Sequence, residues 1–477
     1  MNIKDRRVYI KYWLIIWVKI LVLVLRHGPY DTARDMIRYP WLLKLLKVTG
    51  LMKRLARGRS GAHREAVCMT MAAVVAGLVE LLDGVFFHAG EMILAEDMIP
   101  PEIFRAMGLR PWTAELLGML LPMLEPGGVE RYIDVSENEG MPPDICSLPK
   151  STMGIALKGE MPPVRAAVAS NLPCDGGMAS YNLIEREMKV PMYRLDIPYN
   201  FYNRRAEDYF IGEIRDMIAW LEEQTGRRMD WQRLRSICDE RNRMAELELE
   251  LWETVRARPA PMSAESIYLS HLWNFNLFPG TRESTRLYER LLDMAHSNLT
   301  AGRPAVPGER YRAALWNPPL IHFIDLFNWA ESAYGVSLIM DSMSYNRQSL
   351  IDTGTDDSTL RGLANIIMQG PMARHTRGPA ENYLEDIFHI YRHFDLDMIW
   401  VAGHIGCKNT AALNGMLREK CRAAGVPLLI IEYDLTDPRI VPRDAIIRQV
   451  ESFMENVMKA VRLDAEPAAP SFRGGEV

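Results

Sequence analysis

Residues 396–410 read LDMIWVAGHIGCKNT, and the reading of this stretch decides the fold. Met398, Ile399, Trp400, Val401 and Ala402 form an apolar run without polar alternation, which predicts a strand buried on both faces of a parallel sheet. Residues 410–424, TAALNGMLREKCRAA, return to helical periodicity. Cys407 therefore stands in a strand-to-helix turn, near N–H groups that have no partner inside the helix. Ligands of open α/β sheets collect beyond the carboxyl ends of such strands. A thiol placed there is expected to have a lowered pKa and to suit nucleophilic attack or metal ligation.

Working outward, short apolar strands at 311–315, 336–340, 398–402 and 428–433 alternate with helical patterns around 320–333, 357–369, 380–394, 410–424 and 443–460. Strands alternating with helices imply right-handed crossovers and a parallel sheet. A second α/β part lies upstream, with strand candidates at 165–170 (RAAVAS) and 192–197 (MYRLDI), the latter stopped by Pro198. Between the two, residues 206–257 carry apolar positions at helical spacing among many charges and read as long amphipathic helices. The boundaries are set at 1–61 for a basic helical extension, 62–205 for the first α/β domain and 206–305 for the helical segment. The second α/β domain takes 306–462, and a tail at 463–477, rich in Pro, Ala and Gly, reads as disordered. The stretch RGRSG at 57–61 reads as the linker that closes the extension.

At 477 residues the chain is too long for one compact core. Its 48% hydrophobic and 25% charged residues are those of a globular protein, and a net charge of -5 gives no electrostatic case for nucleic acid. Six cysteines in this length make no disulfide framework, which points to reduced thiols and a cytoplasmic location. Residues 13–25, WLIIWVKILVLVL, follow Lys4, Arg6, Arg7 and Lys11. The run is shorter than the roughly 20 residues of a membrane span, and Lys19 interrupts it. A helix packed on its own or a partner subunit is the leading reading of this segment, and an interfacial helix the lesser one. No Walker A motif and no G-x-G-x-x-G run is present, which argues against nucleotide binding by this chain.

Three cysteines share a context and three do not. Cys146 (ICSLPKSTMG), Cys174 (NLPCDGGMASYN) and Cys407 lie in loops beside regular elements. Cys68, Cys238 and Cys421 fall within helical patterns, where a cysteine is most often a small core hydrophobe. Cys146 and Cys174 are 28 residues apart and Cys407 lies 233 further on. Without a C-x-x-C pair there is no zinc ribbon or ferredoxin run. From spacing alone the three are either ligands of one [4Fe–4S] cluster with an open iron, or unrelated loop thiols.

These surroundings resemble the 2-hydroxyacyl-CoA dehydratase and benzoyl-CoA reductase superfamily. The likeness rests on an ordered set: PPEIFRAMGLRP at 100–111, ICSLPKSTMG at 145–154, NLPCDGGMASYN at 171–182, VPMYRLDIPYN at 190–200, residues 403–439 from GHIGCKNT to DLTDPR, and IIRQVESFMENV at 446–457. The resemblance implies two Rossmann-like or flavodoxin-like parallel-sheet domains with a helical segment between them, beyond the N-terminal helical extension. It implies Cys146, Cys174 and Cys407 as ligands of a [4Fe–4S] cluster. It further implies an acyl-CoA substrate, a homologous second subunit and a separate ATP-hydrolysing iron–sulfur activator. The implied reaction eliminates water from a 2-hydroxyacyl-CoA through a ketyl radical after one-electron injection. An aromatic acyl-CoA reductase is the alternative, and a non-catalytic electron-relay subunit the second. A structural zinc site is the reading that needs no catalysis.

Secondary candidates follow from position. His404, three residues before Cys407, is a candidate catalytic group toward a hydroxyl or a cluster sulfide, as are Lys150 and Ser151. Lys408 is a possible donor beside them. Arg374 and Arg377, with His375 in the basic loop ARHTRG, are candidate partners of CoA phosphates. Asp434 is a candidate substrate contact, while Asp437, before a proline, reads as a helix cap. The loop 341–346 also leaves a strand end. The segment GVFFHAGEMILAEDM after Asp83 matches the family only loosely, so no residue there is assigned.

Overall fold

The computed structural model describes residues 3–199, 203–317, 320–345 and 350–463. The tail from 464 and Asn346 of the loop 341–346 lie outside the described residues. Among the described residues eight strands form two four-stranded sheets, and every pairing there is parallel. The first holds β1 (Met92–Ala95), β2 (Arg110–Thr113), β3 (Ala166–Ser170) and β4 (Met192–Leu195) in the order β2-β1-β3-β4. The second holds β5 (Tyr311–Trp316), β6 (Val336–Asp341), β7 (Met398–His404) and β8 (Leu428–Tyr433) in the order β6-β5-β7-β8. Each half thus has the flavodoxin-like order 2-1-3-4, with its switch point between the first and third strands. The shared order is not written as a repeat in the sequence.

The apolar strand read at 398–402 extends two residues further, to His404. Trp400 is fully buried, stacked on Phe327, and Ile399 and Val401 point to the opposite face. Burial of each such side chain stabilises the fold by about 1.5–3 kcal/mol relative to exposure. One large core joins the N-terminal helices, the apolar helix Gly61–Phe87 and one face of both sheets. The other face of the first sheet packs on the helices Arg204–Thr225 and Asp356–Gln369, and that of the second on Leu326–Tyr334 and Arg443–Asn456. The helices Arg204–Thr225, Trp231–Val255, Ala264–Asn276 and Arg282–Thr300 follow one another between the sheets in sequence.

Two expectations change. The stretch read as a linker is fixed in place: Ser60 caps the helix Gly61–Phe87, and Arg59, 4% exposed, pairs with Glu265 and with Glu331 at 2.6 Å. A buried guanidinium held by two carboxylates from distant segments does not hinge. The basic loop ARHTRG is the helix Pro371–Arg377, because Pro371 occupies the first helical position, where its missing N–H costs nothing.

Candidate functional site

Cys146, Cys174 and Cys407 each occupy the position that caps a helix: Ser147–Leu157, Asp175–Met188 and Lys408–Ala424 respectively. All three are free and half-buried, whereas Cys68, Cys238 and Cys421 are buried in helices. Burial pushes the Cys68 thiol up to about 12 and that of Cys421 to about 11, which keeps both inert. Burial also raises Cys146 and Cys174, but here N–H groups oppose it: that of Leu148 at Cys146, and those of Gly177 and Gly176 at Cys174. Cys146 feels the charges of both Cys174 and Cys407, and Cys174 that of Cys407, so the three sulfurs share one neighbourhood.

Two close approaches hold that neighbourhood together. A Cβ on Gly406 would stand 2.7 Å from Cys146 Cα and 2.9 Å from its N, so the turn of the second sheet lies against the backbone of the first. Gly176 likewise faces Pro149 of the Cys146 helix. Lys408 reaches Asp144 at 2.9 Å across the outside.

His404, 3% exposed, ends β7. The Leu435 N–H donates to its Nδ1 at 3.0 Å, so the hydrogen sits on Nε2, which lies 3.1 Å from Cys146 Sγ. Burial lowers its pKa and Asp434 opposes, which leaves the ring neutral and donating to sulfur. Its Nε2–H is thus already committed to a thiol.

The remaining candidates serve mainly to hold the three loops. Lys150 donates to Glu137 at 2.6 Å and to the Pro143 carbonyl at 2.8 Å, bracing the approach to Cys146. Ser151 donates to the Leu148 carbonyl one turn back. Asp434 accepts from Ser147 Oγ at 2.5 Å and from the N–H groups of Thr436 and Asp437, clamping the turn after β8 to the Cys146 helix. Asp437 pairs with Arg439 at 2.7 Å and does not cap the following helix, whose capping residue is Pro442. Arg377 donates to the carbonyls of Ile197 and Asn171, tying down the loop that leads to Cys174. Arg374 is instead ion-paired with Asp386 and Glu385, both at 2.9 Å.

The structure also places carboxylates that the sequence reading left unassigned. Glu96 and Asp97 follow β1 and Glu115 follows β2, at the carboxyl edge of the first sheet. Glu96 accepts from Ser170 Oγ at 2.7 Å, and Glu115 from Tyr181 on the Cys174 helix. Among the described residues Glu115 Oε2 is buried without a hydrogen-bond partner. Burial, with Asp97 nearby, raises Glu96 above the usual range and Glu115 to about 8, so Glu115 holds its proton near neutrality. An apolar cavity of about 90 Å³ opens beside Asp97 and Thr113, walled by Leu116 and Met119. In the second sheet Asn317, at φ 71°, accepts from Tyr383 at 3.2 Å, and Tyr383 feels Cys407. The signal in the sequence was an acidic residue directly after the apolar run MILA; the stretch RPWTA before Glu115 opens with Arg110 and carries no such signal. A cavity of about 800 Å³ lies at the opposite edge of the first sheet around Arg105, Arg110 and Glu91.

Among the described residues no three His, Cys, Asp or Glu side chains converge closely enough to hold one metal ion. A polynuclear group gives each thiolate a separate iron and asks for wider spacing. Backbone N–H groups of the helix N-termini at Cys146 and Cys174 suit an anionic iron–sulfur group. The donor set fits such a cluster.

A family model described as 2-hydroxyglutaryl-CoA dehydratase, D-component, matches residues 98–457, which include all three cysteines. The chain is similar to a benzoyl-CoA reductase subunit from Thauera aromatica, 22% identical over 347 residues, 68% of this chain and 78% of that protein. It is similar to the lactoyl-CoA dehydratase subunit alpha of Anaerotignum propionicum, 20% identical over 407 residues, 79% of this chain and 93% of that protein. The (R)-phenyllactyl-CoA dehydratase alpha subunit of Clostridium sporogenes is 23% identical over 198 residues, 40% of this chain and 48% of that protein.

Proposed function

The chain belongs to the 2-hydroxyglutaryl-CoA dehydratase D-component family, and from that premise we propose that it is the iron–sulfur subunit of a 2-hydroxyacyl-CoA dehydratase. The observation that carries the proposal is the meeting of three helix-capping thiols, Cys146 and Cys174 from one sheet and Cys407 from the other, against the Gly406–Cys146 contact. A [4Fe–4S] cluster held there supplies a low-potential electron and an open Lewis-acidic position.

The protein's own groups then have separable tasks. The backbone N–H groups of Leu148, Gly176 and Gly177 donate to the ligand sulfurs, and His404 Nε2–H adds a fourth donor at Cys146, which raises the tendency to accept an electron. Lys150, Asp434 and Arg377 keep the three loops in register. Glu115, protonated to about pH 8, is the group suited to hold or deliver a proton as an α-hydroxyl departs. The apolar wall at Leu116 and Met119 offers an acyl chain a dry surface.

The relatives named as alpha subunits support a homologous partner for this chain. An ATP-hydrolysing activator is part of the proposal, since the electron must be driven to a low potential. Aromatic acyl-CoA reduction is the second reading, favoured by the similarity to the benzoyl-CoA reductase chain along 68% of this one. Electron stoichiometry separates them. With partner subunit, activator, ATP and reductant supplied anaerobically, the dehydratase turns over many 2-hydroxyacyl-CoA molecules per electron. A reductase consumes electrons in proportion to product. Loss of turnover in the partner's absence, with normal cluster reduction, would assign this chain to electron relay.

A further inference from the structure

The N-terminal helix Ile3–His27 is apolar on two opposite faces. Tyr12, Ile16 and Leu23 are buried, packing on the core that contains the helix Gly61–Phe87. At 3.6 residues per turn, Ile10, Leu14, Val18, Leu21, Val22 and Leu25 form an arc on the far side. All six are 50–63% exposed. A helix of this kind within a water-soluble fold has half of its apolar surface without a partner. Tyr30, Ile37 and Leu43 on the next two helices are exposed as well.

Charge identifies what suits that face. Residues 1–60 carry fourteen Lys and Arg against three Asp, a net +11 in a chain whose total is -5. Arg6, Arg7, Lys11, Lys19, Lys53 and Arg57 are exposed and make no ion pair among the described residues. By helical position Arg7 and Lys11 lie on the same side as the apolar arc at its N-terminal end, where their long stems can follow an apolar surface while the charged heads reach lipid phosphates. A second copy of the chain would set +11 against +11 at this face. The family match starts at residue 98, so the segment stands outside the part shared with the dehydratases.

We propose that the helix Ile3–His27 docks the protein, lying in plane, on an anionic lipid surface. Its apolar arc enters the acyl boundary and its Lys and Arg side chains meet lipid phosphates. The segment Arg6–His27 is long and apolar enough to cross a membrane, as is Gly61–Phe87, which is mostly buried inside the protein. Spanning would strip Tyr12, Ile16 and Leu23 from the core, whereas in-plane docking leaves them packed.

The test uses the full-length chain with vesicles of phosphatidylcholine alone or with about 30% phosphatidylglycerol. Co-sedimentation with the anionic vesicles is expected, at least about tenfold weaker on neutral ones and weakened by salt. Trp13 emission should shift to the blue on binding. The triple variant Leu14→Glu, Val18→Glu and Val22→Glu should lose binding with its circular dichroism and melting unchanged, since these positions touch solvent. The variant Arg7→Gln with Lys11→Gln should keep the fold and bind about tenfold or more less tightly, each surface cation contributing about fivefold. Failure of the folded wild-type chain to bind anionic vesicles overturns the proposal. So does a stable self-association, or a stoichiometric complex with an acidic protein, that the triple Glu variant abolishes while vesicle binding persists. Retention in the vesicles after alkaline carbonate would mean a spanning helix and overturn in-plane docking.

Discussion

Gly406 offers the sharpest perturbation of the candidate site, because its neighbour is backbone and cannot rotate away. An alanine Cβ there would stand 2.7 Å from Cys146 Cα and 2.9 Å from Cys146 N. Ordinary contact begins at 3.4 Å, so the turn before Cys407 and the start of the Cys146 helix must separate by about 0.7 Å. Overpacking of this kind costs about 1–3 kcal/mol. The displacement acts directly on the spacing between two proposed ligands from different sheets. Gly406→Ala should therefore lower the urea midpoint and sharply reduce iron and sulfide retained after anaerobic reconstitution. Gly415→Ala, in the helix that Cys407 caps, is the matched control. A Cβ there meets nothing within 4 Å, and replacing a mid-helix glycine by alanine stabilises by about 0.5–1 kcal/mol. A Gly406→Ala protein with wild-type stability and wild-type iron and sulfide would refute both the close approach and its role in the site.

Three further outcomes are expected. Cys407→Ser should abolish the iron–sulfur absorbance while Cys421→Ser, changed at a buried helical position, retains it; equal loss would show that the ligand set is wrong. His404→Leu removes the donor to Cys146 Sγ and leaves the Leu435 N–H unpaired, costing about 1–3 kcal/mol, and should lower the cluster's reduction potential in an anaerobic titration followed by electron paramagnetic resonance; an unchanged potential would discount the His404–Cys146 hydrogen bond. Glu115 keeps its proton in the fold to about 8 while the unfolded chain releases it near 4.5. The folded state thus binds more protons between those values, and the stability it contributes below pH 4.5 is lost as pH rises toward 8. Wild-type melting should fall relative to Glu115→Gln across that window, and parallel pH profiles would place Glu115 in water.

The strand buried on both faces was legible because its short apolar run, too short for a helix, ends in a glycine-bearing turn. β7 is of this kind, whereas β8, at the edge of the sheet, alternates buried and less buried side chains and carries the exposed Glu432. β1 and β2 were not legible, since each is four residues long and β2 begins with Arg110 and Pro111. Their edge-of-window length hid the first switch point, and with it Glu96 and Glu115. The three cysteines could be separated from the others by loop context, but not the fact that each caps a helix, which depends on where the helix begins. Lys150, Arg377 and Asp434 were visible as polar residues near those loops. Their partners Glu137, Asn171 and Ser147 are set by tertiary placement, and no local pattern reports them. Arg374 shows the converse: it reads as a free cation and spends its charge on Asp386.

The contact between Gly406 and Cys146 has a mechanical meaning. These turns belong to different sheets and lie 260 residues apart in the chain. A group bound by all three thiols would rivet the two halves at that point, closing a loop whose entropy in the unfolded chain is large and grows only slowly with length. Losing the group to oxygen would then remove a fastener as well as an electron carrier. Inactivation in air becomes a change in the protein's hold on its own shape, and protease susceptibility between the sheets would track it alongside colour.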